Sequence, residues 1–336
     1  MELNREEVVL RALVIALFLV FCVEASPGLG QTRTKLNVVY PAISGVNAGL
    51  WVAAEVNTFE KYGLEVKLIY IPTALQVTRV VLTGDSQIAF AGGAPVVNAA
   101  LSGVDLVIIG GVANVPAFYL MATSDIKSLA DLKGKPVGVS RFGSSTDFVM
   151  RYMLTKQGFN PEKDVTLLQM GGMPELAAAL SKRLIAAAAL SSPTDVRARN
   201  AGAHVLVDVA KEGIHFPHTA IFTKRSYLKA NRQVVLNFFK GYAEGIQRLA
   251  ADKRLGKQVI QKYTRDASEE IVEATYRYAL DYIVRPPYPT RDGIAEVLRQ
   301  SPSPDAKKAT PDSFVDSSVV KELDDQGFFQ KLGMQK

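Results

Sequence analysis

The sequence predicts an α/β protein of two doubly wound lobes, each with helices on both faces of a sheet. Three observations predict this fold class. Short apolar strands alternate with helical segments from residue 36 onward, and the alternation runs through two successive series. Near Ala220–Thr223 the pattern returns towards the first series, so the chain crosses between the lobes twice. The length of 336 residues, 48% of them hydrophobic, allows two ordinary domains.

The first series predicts most of one lobe. Its strands are apolar or alternate between apolar and charged residues, and its helices end at glycine or begin near proline. The predicted elements are the strand Leu36–Tyr40, the helix Leu50–Tyr62, the strand Leu64–Tyr70, a helix from Thr73 to Leu82, the strand Ile88–Ala91, a helix beginning near Pro95 and the strand Val104–Ile109. This rhythm predicts a parallel sheet.

The second series predicts the other lobe, and a helical C-terminal part follows it. The predicted elements are the strands Phe118–Thr123 and Val137–Ser140, a helix from about Thr146 to Gln157, the strand Val165–Met170, a helix from Pro174, and the strands Ala186–Leu190 and Val205–Val209. We expect lobe 1 to comprise residues 36–120 and 216–330, and lobe 2 to comprise residues 121–215. Two lobes joined by two crossovers enclose a cleft, and ligands of such sheets bind beyond the carboxyl ends of the strands.

The N-terminus predicts export. Ala12–Val23 is an unbroken apolar run of twelve residues, which is too short to span a bilayer as a helix. It follows Arg5 and Arg11 and precedes a small-residue cleavage site that ends at Ala25. Residues 1–25 are therefore expected to be a signal peptide and the protein to be periplasmic, with an uncleaved anchor as the alternative. We expect no lipid anchor at Cys22, because bulky Phe21 precedes it.

The charge distribution argues for anions and against nucleic acid. The chain has a net charge of +6, and its lysines and arginines are scattered without a run of five or more. A general basic excess of this kind favours anionic ligands, whereas nucleic-acid binding usually concentrates the positive charge in a patch.

The loop Arg141–Thr146 is the strongest candidate for ligand contact. It joins a predicted strand to a predicted helix, so the helix N-terminus offers free amides and a positive dipole end. Gly143 allows the backbone to approach a ligand, Ser144, Ser145 and Thr146 supply hydroxyls, and Arg141 supplies a planar guanidinium that matches carboxylate or sulfonate. Two alternatives stay open: an ordinary capped helix start with Arg141 in solvent, or an Arg141–Asp147 ion pair.

Other candidates lie in loops at predicted strand ends. Each is a residue type common in ordinary loops, so its place near the cleft is what makes it a candidate. These ligand-binding candidates are Ser44, Asn47, Thr73, Gly93, Ala94, Asn114, Ser191 and Ser192. Four aromatic residues are expected either to line the cleft or to fill the core, namely Trp51, Phe118, Tyr119 and Phe142.

Patterns typical of enzymes and metal sites are missing from the sequence. The single cysteine is Cys22, within the predicted signal peptide. Of the three histidines, His215 and His218 are separated by Phe216-Pro217, which argues against a metal-binding pair on a helix. No nucleophile elbow occurs. We therefore predict a protein that is not an enzyme, with no catalytic residue, metal or cofactor, and with no histidine needed for binding.

Several segments resemble the nitrate/sulfonate/taurine-type solute-binding family, which also includes thiamine-pyrimidine binders. The resemblance extends from about residue 36 to 330, in the order expected for the family. The segments that carry it are Trp51–Glu55, Phe59–Val66, Leu82–Ala89, Ala91–Pro95, Ile126–Val139, Phe314–Asp316 and Val319–Leu323.

The resemblance implies a periplasmic-binding-protein-like fold and a role in transport. It implies a receptor that delivers a small-molecule solute to the permease and ATPase subunits of an ABC importer. Together with the basic charge and the loop Arg141–Thr146, it predicts a monomer whose solute is a small organic anion or is sulfonate-like. Two alternatives remain: an enzyme of the kind used in thiamine-pyrimidine synthesis, or a sensing module that reports to a signalling receptor.

Overall fold

The computed structural model describes residues 33–72 and 74–334. The predicted signal peptide and Thr73 lie outside the described residues. Two five-stranded sheets are each surrounded by helices, which confirms the predicted two-lobed α/β fold. Within the described residues, no helix is both long and apolar enough to cross a membrane.

Lobe 1 is built on a sheet with the strand order β2-β1-β3-β10-β4. Its strands are β1 (Thr34–Tyr40), β2 (Leu64–Tyr70), β3 (Ile88–Ala91), β4 (Val107–Ala113) and β10 (Thr219–Thr223). The helices between these strands, before the chain leaves the lobe, are α1 (Ala48–Glu55), α2 (Ala74–Thr83) and α3 (Gly93–Leu101). The C-terminal helices are α7 (Arg225–Ala230), α8 (Arg232–Ala251), α9 (Lys253–Thr264), α10 (Glu269–Tyr282), α11 (Arg291–Gln300), α12 (Ser318–Asp325) and α13 (Phe328–Lys331).

Lobe 2 is built on a second sheet with the order β7-β6-β8-β5-β9. Its strands are β5 (Tyr119–Ala122), β6 (Pro136–Val139), β7 (Thr166–Gln169), β8 (Ala187–Leu190) and β9 (His204–Asp208), and its helices are α4 (Ser145–Lys156), α5 (Met173–Ser181) and α6 (Thr194–Asn200). The chain passes from sheet to sheet between β4 and β5, and again between β9 and β10. The residue limits of 36–120, 121–215 and 216–330 stay a prediction.

Both sheets are mixed, so the expected fully parallel arrangement is wrong in one respect. In lobe 1, β10 runs antiparallel to β3 and β4; in lobe 2, β5 runs antiparallel to β8 and β9. Each of these strands enters its sheet directly from the other lobe. Since no crossover helix returns the chain to the same edge, the entering strand is free to run in the opposite direction.

Two close contacts show where the core lies, one within lobe 1 and one between the lobes. In lobe 1, α1 and α8 approach closely: a Cβ on Gly245 would lie 2.4 Å from Cβ of Ala53. Between the lobes, Phe148 of α4 stacks on Phe216 of the second crossover with ring centroids 4.4 Å apart. The apolar core therefore continues from one lobe to the other beside the crossovers.

Candidate functional site

A cavity of about 530 Å³ lies between the lobes. Its walls are the loops at the carboxyl ends of parallel strands from both sheets, as predicted from the sequence. The segments after β1, β3, β6, β7 and β8 all contribute, and the antiparallel strands add the residues at their amino ends, Phe118 and His218. The reversed strands thus bring crossover residues into a site built otherwise from strand ends.

Seven of the predicted site residues line this cavity. They are Ser44, Arg141, Gly143, Ser144, Ser145, Thr146 and Ser191. Two of the four aromatic candidates, Phe118 and Phe142, also line it. Trp51 is instead buried and stacks on Tyr263 with ring centroids 5.0 Å apart, so it belongs to the core of lobe 1.

Five other predicted residues lie behind or beside the cavity lining. Asn47 donates from Nδ2 to the carbonyl of Ala42 at 2.8 Å, which supports a lining loop from behind. The other four hold neighbouring segments together or stand next to a residue that does. Gly93 donates its amide to the Pro217 carbonyl, and Ala94 follows Gly93 in α3. Asn114 donates to the Tyr288 carbonyl, and the hydroxyl of Ser192 bonds to that of Thr275.

The start of α4 is capped from within the loop. The hydroxyls of Ser140, Ser144 and Thr146 lie 2.9 Å from one another in a triangle, and Ser144 Oγ accepts from the amide of Asp147. Two of the three predicted donor hydroxyls are therefore engaged within this network. The amides of Ser145 and Thr146 have no acceptor among the described residues, and neither does the shielded Oγ of Ser145. The two amides remain available to a ligand, whereas the Ser145 hydroxyl is shielded from the cavity.

Asp147 does not pair with Arg141. Its Oδ1 accepts from Nε of Arg151 at 2.8 Å, and its Oδ2 accepts from the amide of Gly143 at 2.9 Å. Arg141 is exposed at the cavity wall and makes no ion pair with any described residue. Of the two alternatives for this loop, the ion pair with Asp147 is thus absent, and the guanidinium is free to meet an anion.

The electrostatics of the cavity favour negative charge. Arg141 is the only charged side chain among the described residues that line it, and no carboxylate is among them. Two helices of opposite lobes, α3 and α4, begin at the cavity, so the positive ends of both helix dipoles face the same space.

The two helix starts also touch each other. Gly92, the residue before α3, lies against Ser145, the first residue of α4: a Cβ at position 92 would be 2.1 Å from Ser145 Oγ. Since one residue belongs to lobe 1 and the other to lobe 2, this contact closes the cleft at that point. Only a residue without a side chain permits it.

His218 is a cavity residue that is not among the predicted site residues. It lines the cavity with 6% of its surface exposed, and its ring lies 4.3 Å from that of Phe118. Burial lowers the pKa of His218 to about 3, because the cation would lose its hydration. Its place at the amino end of a strand that enters from the other lobe is a tertiary feature with no local sequence signal.

The described residues do not bring potential metal ligands together. They contain no group of three or more histidine, cysteine, aspartate or glutamate side chains placed to hold a metal ion. His218 is buried beside Phe118, whereas His215 is exposed.

The chain is similar to known proteins both in sequence and in fold. A relative from Bacillus subtilis (strain 168) bears the name "Putative binding protein YtlA"; it is 26% identical over 234 residues, covering 68% of this chain and 70% of its own length. A solved structure from Bordetella bronchiseptica RB50 superposes with a TM-score of 0.75 at 18% identity, covering 88% of this chain and 98% of that one.

Two further structures carry functional names. The alkanesulfonate-binding protein SsuA of Xanthomonas axonopodis pv. citri, bound to MOPS, gives a TM-score of 0.64 at 20% identity, with 90% of this chain and 94% of that one covered. The periplasmic nitrate-binding protein NrtA of Synechocystis PCC 6803 gives 0.67 at 13% identity, with 88% and 89% covered. The family model described as NMT1/THI5 like matches residues 45–254, more than half of the sequence, and the chain belongs to that family.

Proposed function

We propose that this protein is an exported solute-binding protein that captures a small organic anion between its lobes and delivers it to an ABC importer. One observation carries the proposal: the cavity between the lobes is lined by Arg141 and two helix N-termini and by no carboxylate of the described residues. Arg141 and the helix N-termini each stabilise a bound anion, and the absence of carboxylates among the described lining residues leaves it without repulsion. The names of the structural relatives, which include an alkanesulfonate-binding protein and a nitrate-binding protein, agree with it.

The size of the cavity favours an organic anion over a bare inorganic one. At about 530 Å³, it falls within the range of ~300–1,000 Å³ that is typical of sites for drug-sized ligands. Much of its wall is apolar, including Phe118, Met173 and several prolines. A solute with one anionic group and an apolar body would fill this space, whereas an ion of nitrate size would leave most of it to water.

Capture requires that the solute bind the closed form better than the open form. The amides of Ser145 and Thr146 belong to lobe 2, while Ser44 and the residues after β3 belong to lobe 1, so a bound solute contacts both lobes. Its binding free energy then stabilises closure, and the permease and ATPase can distinguish loaded from empty receptor. We propose that the receptor acts as a monomer and does not convert its solute.

Arg141 provides the test of this function. A charge-assisted hydrogen bond contributes about 1.5–3 kcal/mol, so Arg141→Ala should weaken binding of benzenesulfonate or an alkanesulfonate roughly tenfold to a hundredfold. Arg141→Lys should retain only part of the parent's affinity, because lysine lacks the planar guanidinium that bonds an anion in a bidentate way. Isothermal titration calorimetry measures both. The matched control is Arg254→Ala, an exposed arginine of α9 outside the cavity. If Arg141→Ala binds like the parent, the anion site lies elsewhere.

Export is the second part of the proposal. The apolar run Ala12–Val23 and the site at Ala25 support it from the sequence, and periplasmic relatives support it from the fold. N-terminal sequencing of the protein isolated from the periplasm of a Gram-negative host should begin near Ser26. A product that stays in the cytosol and retains Met1 would contradict both the location and the transport role.

A further inference from the structure

His218 is a buried polar group whose hydrogen-bonding capacity the protein does not use. Its Nδ1 is shielded from solvent and has no partner. Its Nε2 also has no partner among the described residues, and because Nε2 is not shielded it is the ring nitrogen that can meet a solute. A neutral imidazole has one donor and one acceptor, and leaving such a group unpaired in the interior is costly. Buried polar groups are normally paired, so an exception in the wall of a ligand cavity indicates a ligand partner.

His218 lies on the opposite lobe from the anion-binding groups. It precedes β10 in lobe 1, on the second crossover, whereas Arg141 and Ser145 belong to the loop and helix that follow β6 in lobe 2. The neighbour of His218 is the ring of Phe118, which is 4% exposed and follows the first crossover. Phe118 and His218, one beside each crossover, thus stand side by side in the cavity wall.

The surroundings define the chemistry of the partner. No carboxylate of the described residues lines the cavity, so nothing in the wall would stabilise a histidinium. The preference for the neutral ring follows from the same burial that lowers the pKa of His218 to about 3. An uncharged group that can donate or accept, such as a hydroxyl, a carbonyl or an amide, satisfies a neutral imidazole without burying a further charge.

We propose that His218 is the specificity-determining residue of the cavity, and that it hydrogen-bonds an uncharged polar group on the body of the solute. The solute class is then an organic anion with a second, neutral hydrogen-bonding group, held at its charged end by Arg141 and the start of α4. This inference rests on the proposed function. It adds the expectation that an alkyl or unsubstituted aryl anion binds more weakly than an anion with such a neutral group.

The experiment compares pairs of probes that differ by one hydroxyl. The probes are benzenesulfonate and naphthalenesulfonate and their singly hydroxylated ring isomers, titrated calorimetrically into the parent, His218→Leu, His218→Gln and the control His215→Gln. In the parent, one hydroxylated isomer should bind roughly tenfold tighter than its unsubstituted partner, since that partner leaves the imidazole unpaired. In His218→Leu the ratio of the two affinities should fall to about twofold or less, while the unsubstituted probe should still bind. In His218→Gln part of the ratio should remain.

A spectroscopic readout distinguishes direct contact from a structural role. With only three histidines in the chain, ring ¹⁵N NMR signals can be assigned by the single variants, and those of His218 should shift when the preferred probe binds. The proposal would be overturned if the parent binds both members of each pair equally, or if the ratio survives in His218→Leu. Unshifted ring signals, or a carboxylated sulfonate that binds more tightly in a His218-dependent way, would also overturn it. If no sulfonate binds, or Arg141→Ala binds every probe like the parent, it is the proposed function that fails.

Discussion

At the scale of single residues, burial of His218 makes the stability of the fold depend on pH. The folded pKa is about 3, against 6.5 for the ordinary side chain. Below pH 6.5 the unfolded chain therefore takes up a proton that the folded chain does not, and the free energy of unfolding falls as the pH falls towards 3. The loss attributable to this residue is about 2 kcal/mol at pH 5.

Urea unfolding of the parent and of His218→Gln at pH 7 and pH 5 measures this contribution. The parent should lose more stability between the two pH values than the variant, by about the stated amount, because glutamine takes up no proton. His215→Gln, at an exposed position of the same crossover, is the matched control and should behave like the parent. Parallel losses in the parent and in His218→Gln would show that the folded ring is protonated as readily as the unfolded one.

At the scale of elements, the meeting of the starts of α3 and α4 controls how far the cleft can close. Gly92 has φ −57° and ψ 134°, a conformation open to any residue, so an added side chain strains contacts and not the backbone. In Gly92→Ala the new Cβ would meet Ser145 Oγ at 2.1 Å. We expect affinity for a sulfonate probe to fall roughly tenfold, since overpacking of this kind costs about 1–3 kcal/mol.

A double-mutant cycle with Ser145→Ala isolates this contact. Without the hydroxyl, the nearest Ser145 atom to the added Cβ is Cβ itself, at 3.4 Å, so Gly92→Ala should cost much less affinity in that background. Calorimetry gives the four affinities, and circular dichroism confirms that each variant is folded. Equal penalties in both backgrounds would mean that Gly92 acts on something other than Ser145.

At the scale of the whole molecule, polar contacts join the two lobes on the side of helix α6. Arg197 of α6 donates from Nε to Asp266 at 3.0 Å and from Nη2 to the carbonyl of Thr264 at 3.3 Å. Close by in the sequence, the amide of Gly45 donates to the carbonyl of Ser192 at 3.0 Å. These contacts join helix α6 of lobe 2 and the adjoining Ser192 to segments of lobe 1 around α10 and after β1.

Breaking the Arg197–Asp266 pair should therefore favour the open form. Arg197→Ala and Asp266→Ala should each weaken solute binding roughly twofold to fivefold, as expected for a partly exposed ion pair, and the double variant should add little. Small-angle scattering of the unliganded variants should give a larger radius of gyration. Lys321→Ala removes an exposed ion pair within α12 and serves as the control. Unchanged affinity and radius would show that the pair does not contribute to closure.

Local patterns of the sequence were sufficient for the fold class and for the edge of the sheets where the site lies. Apolar periodicity, glycine ends and proline starts are properties of neighbouring residues, and they identify strands, helices and the loops between them. Seven candidates at such strand ends, including Arg141 and Ser145, do line the cavity. Two lobes and two crossovers follow from the same alternation.

Partners that are distant in the sequence were decided only by the tertiary structure. The partner of Asp147 is an exception, because Arg151 lies four residues further along the same helix, a local spacing that the prediction did not use; this pairing leaves Arg141 for an anion. The direction of β5 and β10 depends on how each chain segment enters from the other lobe, and this alone brings Phe118 and His218 into the cavity. A side chain's partner is set by three-dimensional packing over the whole chain, whereas periodicity reports only which way a residue faces within its own element.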